Sequence, residues 1–129
     1  MQIEIVEVLD QERAMVAFNS PVGSAAGVWK GGQGLETGTH HVEFEIPDEV
    51  HSWSLVQPTH GAITGGGARG GDFVTVHGQV EGVGEDSVVT LRIGPDVIFV
   101  EMEDSVERLN QGDYVTFNSP TVEIYPYQT

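Results

Sequence analysis

Alternation of apolar and polar residues is the feature that most restricts how this chain can fold. In HVEFEI, Val42, Phe44 and Ile46 alternate with His41, Glu43 and Glu45. Successive side chains of an extended strand point to opposite faces, so this pattern describes a strand with one buried side. The same period of two recurs over residues 2–9, 15–18, 73–83, 87–93, 97–103, 114–117 and 122–127, and WSLV at 53–56 reads as a shorter strand. Seventeen glycines and six prolines punctuate the runs, and the Ala/Leu/Lys bias of a helical chain is missing. The expectation is an all-β protein of about ten short strands, forming a small barrel or a two-sheet sandwich.

The intervening stretches read as connections. Residues 23–38 are expected as a long irregular segment anchored by Val28 and Trp29, and the Gly-rich stretch 58–71 as a loop or linker. A bulge is expected at Gly78, inside the longest strand, and a tight turn at Gly94-Pro95-Asp96. DSVERLNQGD at 104–113 has the composition for one helical turn, with Asp104 or Ser105 as its cap. A chain of 129 residues fits one domain spanning 1–129. The alternative is two β units, 1–57 and 72–127, joined by 58–71.

FNSP is written twice, at Phe18–Pro21 and Phe117–Pro120. An apolar strand ending in Phe, followed by Asn and Ser that bond the nearby backbone and a Pro that presets φ, stops a strand and redirects it. A fainter echo relates GLETGTHHVEFE to RLNQGDYVTFNS through a shared L-x-x-G and V-x-F. The two echoes require different alignments, so they do not report one clean repeat, and a structural role for FNSP is the reading adopted.

From residue 72 to 127 the order is three strands, a short helix or turn, then two more strands, with a glycine-interrupted first strand and GDYVTF leading into the fourth. In element order this half resembles the OB-fold, a small five-stranded Greek-key barrel. The resemblance implies a fold and no particular activity. The common OB use, gripping single-stranded nucleic acid, needs a basic groove with stacking aromatics. Here the corresponding strands carry Glu81, Glu85, Asp86, Glu101 and Glu103.

Charge narrows the partners. Five Lys and Arg face 20 Asp and Glu, for a formal net charge of −15. Nucleic-acid binding through phosphates requires clustered cations, whereas this field would steer a basic partner inward. No stretch approaches the ~18 apolar residues of a membrane span, and the first residues lack the basic start and apolar run of an export signal. A cytoplasmic location is therefore expected.

Catalytic signatures are sparse. There is no cysteine, no G-x-S-x-G, and no glycine cluster with the spacing of a phosphate loop. Along 41–51, His41, Glu43 and Glu45 share a strand face and His51 follows the Pro47-Asp48 break; imidazole and carboxylates of this kind can hold a divalent metal. The leading expectation is a non-enzymatic acidic protein-binding module of inhibitor or immunity-protein type, with no cofactor. Its binding residues would be Trp29, as an exposed anchor, and Glu81, Glu85, Asp86, Glu101 and Glu103, acting on a basic protein. The alternative is a β-barrel that binds a metal or small ligand through His41, Glu43, Glu45 and His51. Self-association through edge strands is compatible with either.

Overall fold

In a computed structural model of the protein, residues 1–32, 35–66, 73–103 and 108–127 are described. They form eleven strands: β1 Gln2–Asp10, β2 Met15–Ser20, β3 Gly23–Trp29, β4 Gly38–Glu45, β5 Ser54–Val56, β6 Ala62–Gly65, β7 Val74–Val83, β8 Val88–Ile93, β9 Asp96–Glu101, β10 Tyr114–Ser119 and β11 Glu123–Pro126. The protein is all-β, as the alternation requires. Among the described residues no helix is long and apolar enough to cross a membrane. The helical turn expected after Asp104 or Ser105 and the end of the Gly-rich stretch fall largely at 104–107 and 67–72, outside the described residues.

Five strands close into a barrel. β1, β2 and β3 form an antiparallel meander, β4 pairs antiparallel with the outer edge of β1, and β11 completes the ring. It does so by pairing parallel with β3 through Glu123↔Val28 and Ile124↔Trp29, and antiparallel with β4 through Ile124↔Phe44. Closure leaves no unpaired edge in the ring. Its interior holds Ile3, Ile5, Phe18, Val42, Phe44 and Ile124, with the Phe18 and Phe44 rings stacked at 5.4 Å.

The second half builds an incomplete ring beside the first. β7, β8 and β9 form another meander, and β10 pairs with β7. The remaining side comes from residues 50–56: Val50 bridges Met102 in parallel, and β5 pairs with β10. The closing segments are thus exchanged. The last strand of the chain closes the first ring, while a segment from the first half lines the second. One continuous apolar cluster runs through both, including Phe18 and Ile124 on one side and Leu91, Val100 and Val115 on the other.

Two strands run through stretches expected as connections. β3 occupies Gly23–Trp29, within the segment read as irregular, and β6 occupies Ala62–Gly65, within the segment read as linker. The sequence of β3, GSAAGVW, lacks bulky alternation because it lies at the barrel seam. A Cβ on Gly27 would stand 2.9 Å from the Val122 carbonyl oxygen and 3.0 Å from the end of Ile124. Small residues there let β11 approach. β6 joins the halves, pairing with β7 over four residues and touching β3 at Ala25↔Gly65. The bulge of β7 falls between Val80 and Gly82, not at Gly78, and β1 carries two register shifts, between Ile5 and Glu7 and between Val8 and Asp10.

The two FNSP copies end strands that hold different places: β2 is second in its meander, whereas β10 flanks β7. Both use the same local chemistry. Ser20 Oγ accepts from Val22 N at 3.1 Å and donates to Gly23 O at 2.9 Å; Ser119 Oγ donates to Thr121 O at 2.8 Å. Asn19 and Asn118 each accept a neighbouring hydroxyl, from Ser24 and Thr75. The fainter echo is the one at corresponding positions. β4 and β10 each pair with the first strand of a meander, each begins after or at a glycine with positive φ (Gly38 at 122°, Gly112 at 98°), and each buries its V-x-F pair. Only glycine adopts such a backbone at little cost.

Candidate functional site

An acidic surface lies at one end of the second ring, and the backbone explains why. Val50 N donates to Glu101 O, and Glu103 N donates to Val50 O, both at 2.8 Å. Val50 and Met102 point into the core. Their neighbours Glu49, His51, Glu101 and Glu103 therefore point outward, side by side, by strand alternation. Met102 N also donates to Ser87 O at 3.0 Å. That bond holds the turn bearing Glu85 and Asp86 against the same end of β9.

Of the expected binding residues, Glu101 and Glu103 thus stand beside Glu49, while Glu85 and Asp86 lie in the turn tied to the same end of β9, where Asp86 Oδ1 accepts from Val88 N at 3.3 Å. Mutual repulsion is visible in Glu49: partial desolvation, then the charges of Glu103 and Glu101, raise its carboxyl above the ordinary range. The only ion-pairing partner for these carboxylates among the described residues is His51, whose Nδ1 meets Glu103 Oε2 and lies 3.8 Å from Glu49 Oε1. A shallow depression of about 700 Å³ begins beside this cluster and runs along His51, Trp53, Thr116 and Asn118.

The other expected residues lie elsewhere. Glu81 is held by Arg92 through two hydrogen bonds, at 3.0 and 3.1 Å, and is neutralised there. Trp29, expected as an exposed anchor, is 4% exposed and packs edge-on against His40 at 4.9 Å. Its place on β3, at the parallel seam with β11, is what buries it. His41, Glu43 and Glu45 do share the outer face of β4, but they are not grouped with His51. Among the described residues, the one trio of ligand atoms within 4.8 Å of one another is Glu49, His51 and Glu103. Sequence reading missed Glu49. The signal was there in EVH at 49–51 and EME at 101–103: each sets one apolar residue between two potential ligands, but nothing local says that the two triplets are neighbours.

A second polar cluster sits outside the barrel seam. Tyr125 Oη donates to Glu123 Oε1 at 2.9 Å, and Lys30 Nζ lies 3.4 Å from the other oxygen of Glu123. The hydrogen bond to Glu123, burial and the negative charges of Glu123 and Glu45 push the Tyr125 phenol up to about 12. The neutral phenol is favoured by folding, so its stabilisation is complete below the ordinary value of about 10 and is lost as pH rises through about 12. In an absorbance titration, a late phenolate step near that pH is expected, and Tyr125→Phe should remove it. Persistence of the step in the variant would assign it to another residue.

The class defined by these observations is an all-β barrel protein with an acidic face built on a strand junction. Comparison of the chain with protein-family models, with curated proteins and with solved structures finds no match.

Proposed function

We propose that the protein is a non-enzymatic binding module whose acidic face docks a basic protein, in the manner of an inhibitor or immunity protein. The observation that carries this reading is the grouping of Glu49, Glu101 and Glu103 at one end of β9, with the turn bearing Glu85 and Asp86 tied to that end and no lysine or arginine paired to any of them among the described residues. Carboxylates packed this closely repel one another, and an incoming cationic surface relieves that repulsion while the overall charge steers it in.

The fold supports the same reading. The OB resemblance expected of residues 72–127 is carried more fully by the first ring, whose pairing order β1, β2, β3, β11, β4, with the third and closing strands parallel, is OB-like. Residues 50–56 with β7 to β10 repeat that order less completely. OB barrels lend their faces to many ligands. The described cations do not form a groove for nucleic acid: Arg13 lies by Asp10, Lys30 by Glu123, Arg92 by Glu81, and Arg108 over the Trp53 ring. Capture of a partner from native extract at low ionic strength tests the proposal. The partner should be basic and should be released by salt; a neutral partner, or one retained unchanged in molar salt, would refute it.

A second reading is favoured by one observation, the Glu49–His51–Glu103 trio. One imidazole nitrogen and two carboxylates, open to solvent, suit a divalent transition metal with positions left for water. The expected outcome for untagged protein is a thermal upshift with Zn, Ni or Mn that His51→Ala and Glu103→Gln each abolish, while Glu43→Gln leaves it intact. No upshift with any of these ions would end this reading.

A further inference from the structure

A cleft of about 230 Å³ separates β4 from β9 and is lined by Met1, Glu43, Phe44, Glu45, Asp96 and Phe99, with Tyr127 on its rim. Its geometry follows from the topology. The segment after β4 is tied to the end of β9 by the Val50–Met102 bridge, while further back, among the described residues, the two strands make no ladder and β9 pairs only with β8.

Three kinds of group face this cleft. The first is an open strand edge. Because Met102 N bonds towards β8 at Ser87 and Glu101 O bonds away from it to Val50, alternation directs the N–H and C=O groups of Val97 and Phe99 away from β8, towards β4. No backbone partner meets them among the described residues. The second is aromatic: Phe99 and Tyr127, 65% and 49% exposed, both line the cleft. The third is anionic. Asp96 is engaged by the Met1 ammonium at 2.6 Å, but Glu43 and Glu45 have no cation paired to them among the described residues. Burial and the charges of Asp96 and Glu43 also raise the Tyr127 phenol, which agrees with these groups facing one space.

We infer that this cleft receives an arginine side chain of the basic partner. The inference rests on the binding reading above and adds a second, specific point of attachment to it. The apolar floor of Met1, Phe44, Ile93 and Ile98 suits the methylene stem, which arginine can lay on such a surface while its head stays polar. Two carboxylates without a paired cation, of which Glu45 also lies beside the Tyr125 hydroxyl, and the outward carbonyls of β9 are acceptors, and a planar guanidinium brings five donors and no acceptor to meet them. The exposed rings offer it a stacking face. A lysine ammonium, a compact point charge, satisfies fewer of these groups at once. An anion would meet two uncompensated carboxylates.

The test is an NMR titration of the full chain at low salt with a capped Gly-Arg-Gly peptide and its citrulline and lysine counterparts. The arginine peptide should shift the amides of Val97 and Phe99 and the ring of Tyr127. Citrulline, which keeps the shape without the charge, should bind about tenfold more weakly or worse, and lysine should fall between. Glu43→Gln with Glu45→Gln, both at exposed positions, should weaken the arginine peptide about tenfold with the rest of the spectrum unchanged. Equal affinity for citrulline, or shifts confined to Glu85, Asp86, Glu101 and Glu103, would overturn the assignment. Poly-arginine separates the two proposals. If it binds the Glu43/Glu45 variant as tightly as the parent protein, the cleft assignment fails and the acidic face stands. If it binds the Glu85→Gln, Asp86→Asn, Glu101→Gln, Glu103→Gln variant as tightly as the parent protein while the short peptide still fills the cleft, the acidic-face reading fails and the cleft stands.

Discussion

Ile124→Ala is expected to lower the unfolding free energy by about 2–5 kcal/mol, the range for truncating a large buried aliphatic residue. That is a large fraction of the roughly 5–15 kcal/mol that holds a domain together. Ile124 is fully buried on β11 and sits at the seam, opposite Trp29 in the parallel pair and Phe44 in the antiparallel one. Among the described residues, no other strand pairs with both β3 and β4. The lost side chain therefore leaves a cavity where the ring closes, and the neighbours that could collapse into it are themselves held in ladders.

The exchange of closing segments adds a second expectation to the same experiment. β11 comes from the second half and seals the first ring, while residues 50–56 come from the first half and line the second. Neither ring is complete without the other half of the chain. Urea unfolding followed through Trp29, in the closed ring, and Trp53, beside the open one, should give coincident transitions that shift together in Ile124→Ala. Leu55→Ala, on the exposed edge strand, serves as a control and should change stability by about 0.5 kcal/mol or less. Separate transitions for the two tryptophans would mean that the rings unfold independently.

The largest functional effect should come from charge. With a net charge of −15, association with a basic partner gains from long-range attraction, which raises on-rates by roughly 10–10³-fold in steered complexes. Screening contracts that range to about 8 Å at physiological ionic strength and about 3 Å in molar salt. The association rate of the captured partner should therefore fall by at least an order of magnitude between dilute buffer and molar salt. Neutralising the face with Glu85→Gln, Asp86→Asn, Glu101→Gln and Glu103→Gln should produce much of the same loss at low salt and flatten the salt dependence. The variant should remain folded, because these side chains project from the barrel and their mutual repulsion opposes folding. If the quadruple variant associates as fast as the parent protein, the acidic end of β9 is not the docking face.

How much was legible in advance differs by element. Strands such as β4 and β8 could be read because each buries one face, and burial of one face writes a period of two into the sequence. β3 and β6 could not. β3 is built of small residues because β11 crosses close to Gly27, and that demand comes from a strand almost a hundred residues away. β6 is four residues long and flanked by glycine, so its pairing with β7, and not its composition, makes it a strand. Trp29 looked exposed for a similar reason: a tryptophan in a glycine-rich stretch resembles a loop anchor until the parallel seam is placed over it.

The sites divide along the same line. Acidity, the absence of thiol chemistry and the outward face of His41, Glu43 and Glu45 follow from composition and alternation, and no tertiary arrangement alters them. Which carboxylates become neighbours is a different kind of fact. Glu49 and Glu103 are far apart along the chain, and the Val50–Met102 bridge alone makes them adjacent. Arg92 removes Glu81 from the acidic set by reaching across from the neighbouring strand. Side-chain direction along a strand depends on local geometry, which the sequence writes residue by residue. Proximity between strands depends on which edges pair, and in this protein the exchanged closing segments decide that through contacts at the far ends of the chain.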